Sequence, residues 1–228
     1  MFDGFYGRLR QQTGDRWLHY IHHPFVRQLA DGTLPASAFR RYLIQDYLFL
    51  IHFARAYALL VSKFQTLPEM RAAIRSLNAI VDELPLHVRY CAQWGLTGKA
   101  MAAETEAPET LNYTRYVLDI GHAGDALDLL TALMPCVAGY AEIGVGLLND
   151  TQTVLTGNPY APWIENYGAP LYLSGVQASL TLFENLAAQR GGASRFEALA
   201  GIFATATRLE TAFWQMGLDA ACATPEAR

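Results

Sequence analysis

Histidine is missing from this chain beyond position 122; its six copies stand at 19, 22, 23, 52, 87 and 122. A helical bundle that holds two irons draws carboxylates and paired Glu-x-x-His motifs from both of its halves. The roughly one hundred residues after His122 have no histidine to give to a matching second motif, so no metal and no cofactor is expected. Cysteine is scarcer still. Cys91, Cys136 and Cys222 are odd in number and form no CxxC pair, which argues against a disulfide framework and for a reducing cytoplasm. Charge is thin as well, at 17% of residues against a common share of about a quarter. With 17 Lys and Arg against 21 Asp and Glu, the net charge is −4 and neither sign is clustered. Nucleic acid and anionic membrane are therefore not expected partners. The apolar stretches are broken by charge before the roughly 18 residues of a membrane span. The opening MFDGFYGRLRQQTGDRW has no apolar signal-peptide core. Glycine-rich phosphate loops are absent.

What is present is helical periodicity. Hydrophobic residues make up 52% of the 228 and aromatics 12%, enough for one sizeable core with surface left over for subunit contacts. Residues 36–65 contain neither Gly nor Pro, follow Pro35, and repeat apolar residues at three- and four-residue spacing, which predicts a helix with a buried face. Further helices are predicted over 69–94, with a bend at Pro85, over 109–120 ending at Gly121, and over 125–149. Others fall at 160–167, 171–189 and 193–219, after the turn signals Gly157-Asn158-Pro159 and Gly191-Gly192. No period-2 strand pattern occurs. The expectation is an all-α, single-domain helical bundle over 1–228, with 221–228 a frayed tail.

Three residues invite a chemical reading. Asp46 interrupts the apolar run YLIQDYLFLIHF, with Phe49 and Phe53 on its face. A carboxylate there is costly to bury unless partnered. It is either bonded to a Tyr or Arg of a neighbouring helix or an anchor in an aromatic pocket, and the segment leaves both open. Cys136 has the ordinary reading of a small buried hydrophobe. Against that, Pro135 removes the helical donor to the Thr131 carbonyl and should bend the helix, and Tyr140 lies at i+4 on the thiol's face. Glu142 points elsewhere and reads as a support behind the site or as structural. Glu210 has Phe213 and Trp214 at i+3 and i+4, a setting that can raise a carboxyl's pKa and make a general acid; the plainer reading pairs it with Arg208 or another surface cation. Tyr113, Tyr116, Tyr160, Tyr167 and Tyr172 are core packing or pocket lining. Glu83 and His87 form an ExxxH pair, which reads as a helix salt bridge.

Taken together, the segments resemble the TenA/thiaminase II family. The resemblance rests on His23-Pro24-Phe25-Val26, Asp31-Gly32-Thr33-Leu34-Pro35 and Gln45-Asp46. It continues through ELPLHVRYCAQWGL at 83–96, NYTRYVLD at 112–119, LMPCVAGYAEIG at 133–144, APWIENYG at 161–168 and ETAFW at 210–214. It covers roughly 5–219.

The resemblance implies a haem-oxygenase-like fold, a homotetramer and a metal-free, cytoplasmic hydrolase of thiamin salvage. That enzyme releases the hydroxymethyl pyrimidine from 4-amino-5-aminomethyl-2-methylpyrimidine or from thiamin. It further implies that Cys136 is the nucleophile, Glu210 the acid/base, and Asp46 the carboxylate that holds the pyrimidine. Tyr113, Tyr140 and Tyr167 would line the pocket. Phe49 stands where some members have tyrosine, which keeps a stacking ring and loses a hydroxyl. The rival readings are a metal-dependent oxidase on the same scaffold, a regulator, and a pyrimidine-binding module without turnover. Net charge −4 and the lack of a basic helix speak against DNA contact.

Overall fold

The computed structural model describes residues 3–222, which form eleven helices and, among those residues, no strand. Three short helices open the chain: α1 (Gly4–Thr13), α2 (Asp15–Ile21) and α3 (Pro24–Asp31). The sequence reading assigns no element here, because helices of seven to ten residues show too few turns for a clear period. Turn chemistry defines them instead. The His23 ring Nδ1 accepts the Phe25 amide at 3.2 Å, and Pro24 takes the first helical position, where a missing N–H is harmless. Gly32, at φ +80°, closes α3 in the left-handed region. Asp31 Oδ1 accepts the Thr33 amide at 2.9 Å. The Asp31–Pro35 block is thus a helix stop, a turn and the start of the next helix.

The remaining helices are α4 (Ala36–Lys63), α5 (Leu67–Ala92), α6 (Gly98–Ala102), α7 (Pro108–Ala123), α8 (Ala126–Asn149), α9 (Ala161–Gly168), α10 (Pro170–Gln189) and α11 (Phe196–Cys222). All seven predicted helices are found, with ends shifted by up to a few residues, and α6 is an addition. Two boundaries need correction. α7 runs through Gly121 to Ala123: a Cβ at Gly121 would lie 2.8 Å from Leu59 and 3.0 Å from Leu129, so this glycine permits close helix packing and is not a stop. α11 extends to Cys222, so 221 and 222 are helical; the rest of the expected tail, 223–228, lies outside the described residues.

α4, α8 and α11 pack on one another at the centre of the bundle. α4 and α8 are, contrary to the sequence reading, long and apolar enough to cross a membrane by length and composition. They are instead mostly buried within the bundle, with 56% and 72% of the apolar windows covered. α5 lies along α4, α9 and α10 along α8, and α1 and α2 against α11. Trp214 of α11 stacks on Phe25 at 4.9 Å between centroids, and Phe203 on Trp17 at 5.5 Å. Two carboxylates fasten the N-terminal helices. Glu184 accepts the Phe5 and Tyr6 amides at the start of α1. Glu142, structural as expected, takes Arg10 and the Trp17 indole N–H.

α9 approaches α8 through glycine. A Cβ on Gly144 would sit 2.7 Å from the Gly168 nitrogen and 2.8 Å from the Tyr167 carbonyl oxygen. Both are backbone atoms, so no side-chain rotation relieves the clash. Gly144→Ala is expected to cost about 1–3 kcal/mol of stability, which lowers the melting temperature by about 3–10 °C in a chain of this size. Thermal unfolding of the purified variant checks this; an unchanged melting temperature would contradict the close packing.

Candidate active site

Helices α4, α5, α7, α8, α9, α10 and α11 turn polar side chains toward one interior region. α4 brings Tyr42, Asp46 and Phe49. Asp46 is 5% exposed. Its Oδ2 accepts two bonds, from the Tyr42 hydroxyl at 3.2 Å and from His87 Nε2 at 2.6 Å. Tyr42 Oη in turn accepts the Trp163 indole N–H at 3.3 Å. No described residue donates to Asp46 Oδ1. The preceding Gln45 is structural: its amide N–H reaches the Thr105 carbonyl, and its oxygen accepts from the Ala107 amide and the Thr110 hydroxyl. It fixes the chain before α7 to α4.

α11 supplies Glu210, 2% exposed, whose Oε1 accepts the Tyr113 hydroxyl at 2.7 Å. The alternative partner Arg208 is not used. Cys136 on α8 is half-buried, whereas Met134, Pro135 and Ala138 beside it are buried. α8 continues through Pro135, and the Tyr20 hydroxyl donates to the Pro135 carbonyl at 3.3 Å. The Cys136 thiol lies close enough to Glu210 for the two to interact.

Aromatic rings form the walls. Phe49 lies 4.9 Å from Tyr113 and 5.7 Å from Phe213 between centroids. Tyr140 lies 4.9 Å from Tyr167, and Trp163 lies 4.5 Å from Tyr167. The seven residues singled out from sequence, Asp46, Phe49, Tyr113, Cys136, Tyr140, Tyr167 and Glu210, are therefore brought together. Of the other tyrosines, Tyr172 packs edge-on against Tyr167 at 5.0 Å. Tyr116 bonds the Ile202 carbonyl and Tyr160 the Leu34 carbonyl, so these two brace the frame.

The ExxxH pair of α5 is not the local salt bridge that its spacing suggested. His87 turns to Asp46, and Glu83 Oε1 accepts the Tyr167 hydroxyl at 2.6 Å. Sequence reasoning missed His87, Glu83, Tyr42 and Trp163 as members of the site. Among the described residues, no three His, Cys, Asp or Glu side chains are grouped to hold a metal ion.

Burial and mutual repulsion shape the electrostatics. Burial pushes the Cys136 thiol well above its usual range, and Glu210, Asp46 and Glu83 push it the same way. Glu210 is pushed up to about 8 by burial and by the Asp46 charge, although the Tyr113 and Cys136 hydrogen bonds pull it back. Burial also raises Glu83, against the pull of His87 and Tyr167. Burial alone would lower His87, but the hydrogen bond and charge of Asp46 outweigh it and the ring is raised. A carboxyl that titrates near 8 beside a protonated thiol can both take and return a proton at neutral pH.

The comparisons with known proteins agree on one lineage. The model of the TENA/THI-4/PQQC family matches residues 10–220. An uncharacterized protein of Haemophilus influenzae is 39% identical over 94% of this chain and 99% of its own length. An aminopyrimidine aminohydrolase of Halalkalibacterium halodurans is 34% identical over 94% of this chain and 96% of its own length. A crystal structure described as a TenA family transcription regulator, from a Silicibacter species, superposes with a TM-score of 0.89. It is 44% identical and covers 95% of this chain and 97% of that one. A Shewanella denitrificans domain with a haem-oxygenase-like fold superposes at 0.73 with 13% identity over 93% of this chain and 91% of that one. The fold is therefore haem-oxygenase-like.

Proposed function

Because this chain belongs to the TENA/THI-4/PQQC family, we propose that it is an aminopyrimidine aminohydrolase of the thiaminase II type, acting in thiamin salvage. The observation that carries this reading is the half-buried Cys136 beside a carboxyl, Glu210, that titrates at about 8. The substrate is 4-amino-5-aminomethyl-2-methylpyrimidine, with thiamin as a second substrate carrying a different leaving group.

The residues divide the work as follows. Asp46 Oδ1 accepts from the substrate's exocyclic amino group and from its ring nitrogen in the protonated form, and the rings of Phe49, Tyr113, Tyr140 and Tyr167 sandwich the heterocycle and exclude water. The Cys136 sulfur adds to the electron-poor ring while its proton passes to Glu210. With the aminomethyl substrate Glu210 returns that proton to the amine, which departs from the exocyclic methylene as ammonia; with thiamin the cationic thiazolium departs as neutral thiazole and takes no proton, and Glu210 gives its proton up to solvent. Water then adds to the methylene carbon, giving its proton to Glu210, and the sulfur leaves the ring as the thiol. One substitution becomes two easier steps.

The reading needs neither metal nor cofactor, and it belongs to the cytoplasm. The assembly we propose is a homotetramer. In support, Leu67, Ile74 and Val81 are exposed and seven residues apart on α5, an apolar stripe suited to a subunit contact. The test of function is incubation of the chelator-treated protein with each substrate, followed by mass identification of the product. The hydroxymethyl pyrimidine is expected from the aminomethyl compound. Failure to convert either substrate would overturn the reading.

A further inference from the structure

The Asp46–His87 contact joins helices α4 and α5 across 41 residues at 2.6 Å, with both side chains buried. The other nitrogen of the ring, Nδ1, lies 3.4 Å from the Glu83 backbone carbonyl. Both ring nitrogens thus face acceptors. A neutral imidazole carries only one N–H and would turn a lone pair toward one of those oxygens unless Asp46 held the missing proton; an imidazolium satisfies both. Histidine ordinarily titrates about 2.5 units above aspartate, which places the proton on the ring. Tyr42 donates a second bond to the same oxygen, Asp46 Oδ2. The titratable side chains that share the site, Glu83, Glu210, Cys136 and the tyrosines, are all acids, and His87 is the base that bonds among them.

We propose that His87 is a positioning residue for the aminopyrimidine: as an imidazolium, it clamps Asp46 Oδ2 and so leaves Oδ1 aimed at the substrate. The inference rests on the hydrolase reading for what Oδ1 binds, but not for the ion pair itself. Two bonds on one oxygen leave the carboxylate little rotational freedom. Oδ1, with no donor among the described residues, stays available to a ligand that offers N–H groups. Glu83 joins this arrangement to the pocket wall, since its carbonyl faces the ring and its side chain holds Tyr167. Without the cation, Asp46 would sit uncompensated in an aromatic, acidic surrounding.

The test has a part that needs no substrate. Nitrogen NMR of 15N-histidine-labelled protein reads the protonation of each ring. The His87 signal is the one absent from His87→Gln or, should that variant not fold, the one left after the other five histidines are replaced. Wild type is expected to show a doubly protonated His87 at pH 7, and Asp46→Asn to show it neutral. The second part is kinetic. His87→Gln keeps a donor but loses the charge, and should raise KM by about tenfold or more with a smaller fall in kcat. A neutral His87 in wild type, or a folded His87→Gln with unchanged KM, overturns the proposal. Wild-type turnover reports separately on the hydrolase reading, so the two failures are distinguishable.

Discussion

Cys136→Ser is expected to reduce turnover by on the order of a thousandfold or more while leaving substrate affinity nearly intact. Serine has the same shape, but its hydroxyl gives up its proton far less readily than a thiol and is a far weaker nucleophile near neutral pH, even with Glu210 to take that proton. The neighbouring groups do not rescue it. Glu210, Asp46 and Glu83 all oppose ionisation at this position, and His87 is engaged with Asp46. The contacts assigned to binding, Asp46 and the aromatic walls, are untouched. The hydroxyl can also interact with Glu210 as the thiol does, so the melting temperature should move by no more than a few degrees. Single-turnover kinetics and calorimetric binding of the hydroxymethyl pyrimidine separate the two quantities. Near-normal turnover in the folded variant would remove Cys136 from the mechanism and leave it as a packing residue.

Glu210→Gln is expected to abolish most turnover and, at alkaline pH, to stabilise the fold. The amide cannot relay a proton, which accounts for the first effect. The second follows from linkage. The carboxyl titrates at about 8 in the folded protein against an ordinary 4.5, so the folded state holds this proton more tightly than the unfolded chain does. Wild-type stability therefore falls as pH rises from about 4.5 to about 8 and levels off above that. At about 1.4 kcal/mol per unit, the loss is on the order of several kcal/mol. Glutamine never ionises and escapes it. Melting curves of both proteins at pH 5 and pH 9 should show the variant gaining on wild type as pH rises. A difference that does not change with pH would contradict the buried, raised carboxyl. Combining the two substitutions should cost little more activity than the worse one alone, because the pair works as one proton relay.

The sequence made Asp46, Cys136 and Glu210 visible for one shared reason: each is a reactive group inside an apolar helix, and burial without a local partner is what makes such a group expensive. The partners themselves were not visible. Spacing along a helix tells which side chains share a face, as with Glu83 and His87, but not what stands opposite that face. Both turn away from each other, to Tyr167 and Asp46, from helices 84 and 41 residues distant in sequence. Nothing in the sequence singles out Tyr42: its ring is core, and only its hydroxyl belongs to the site. Gly121 read as a stop because glycine serves two ends, freeing the backbone and letting helices touch, and composition does not separate them. The Asp31–Pro35 block supports the family likeness strongly yet places no side chain in the site. Its role is to turn the chain, and that is legible only once α3 and α4 are seen on either side of it.

Glu210, the proposed acid/base, sits on α11, and that has a consequence for the newborn chain. α11 lies against α1, α2, α3, α4, α7 and α8, and it fills the bundle with Phe203 and Trp214. As a chain leaves the ribosome N-terminus first, Asp46, His87 and Cys136 emerge and wait without the helix that covers them. Their apolar surroundings stay wet and open until the 27 residues of α11 are made. A nascent chain paused before Phe196 would present a sticky trough to chaperones, with Cys136 open to oxidants and no acid beside it. Protection of that thiol from an alkylating reagent, followed during synthesis, would appear late and in a single step.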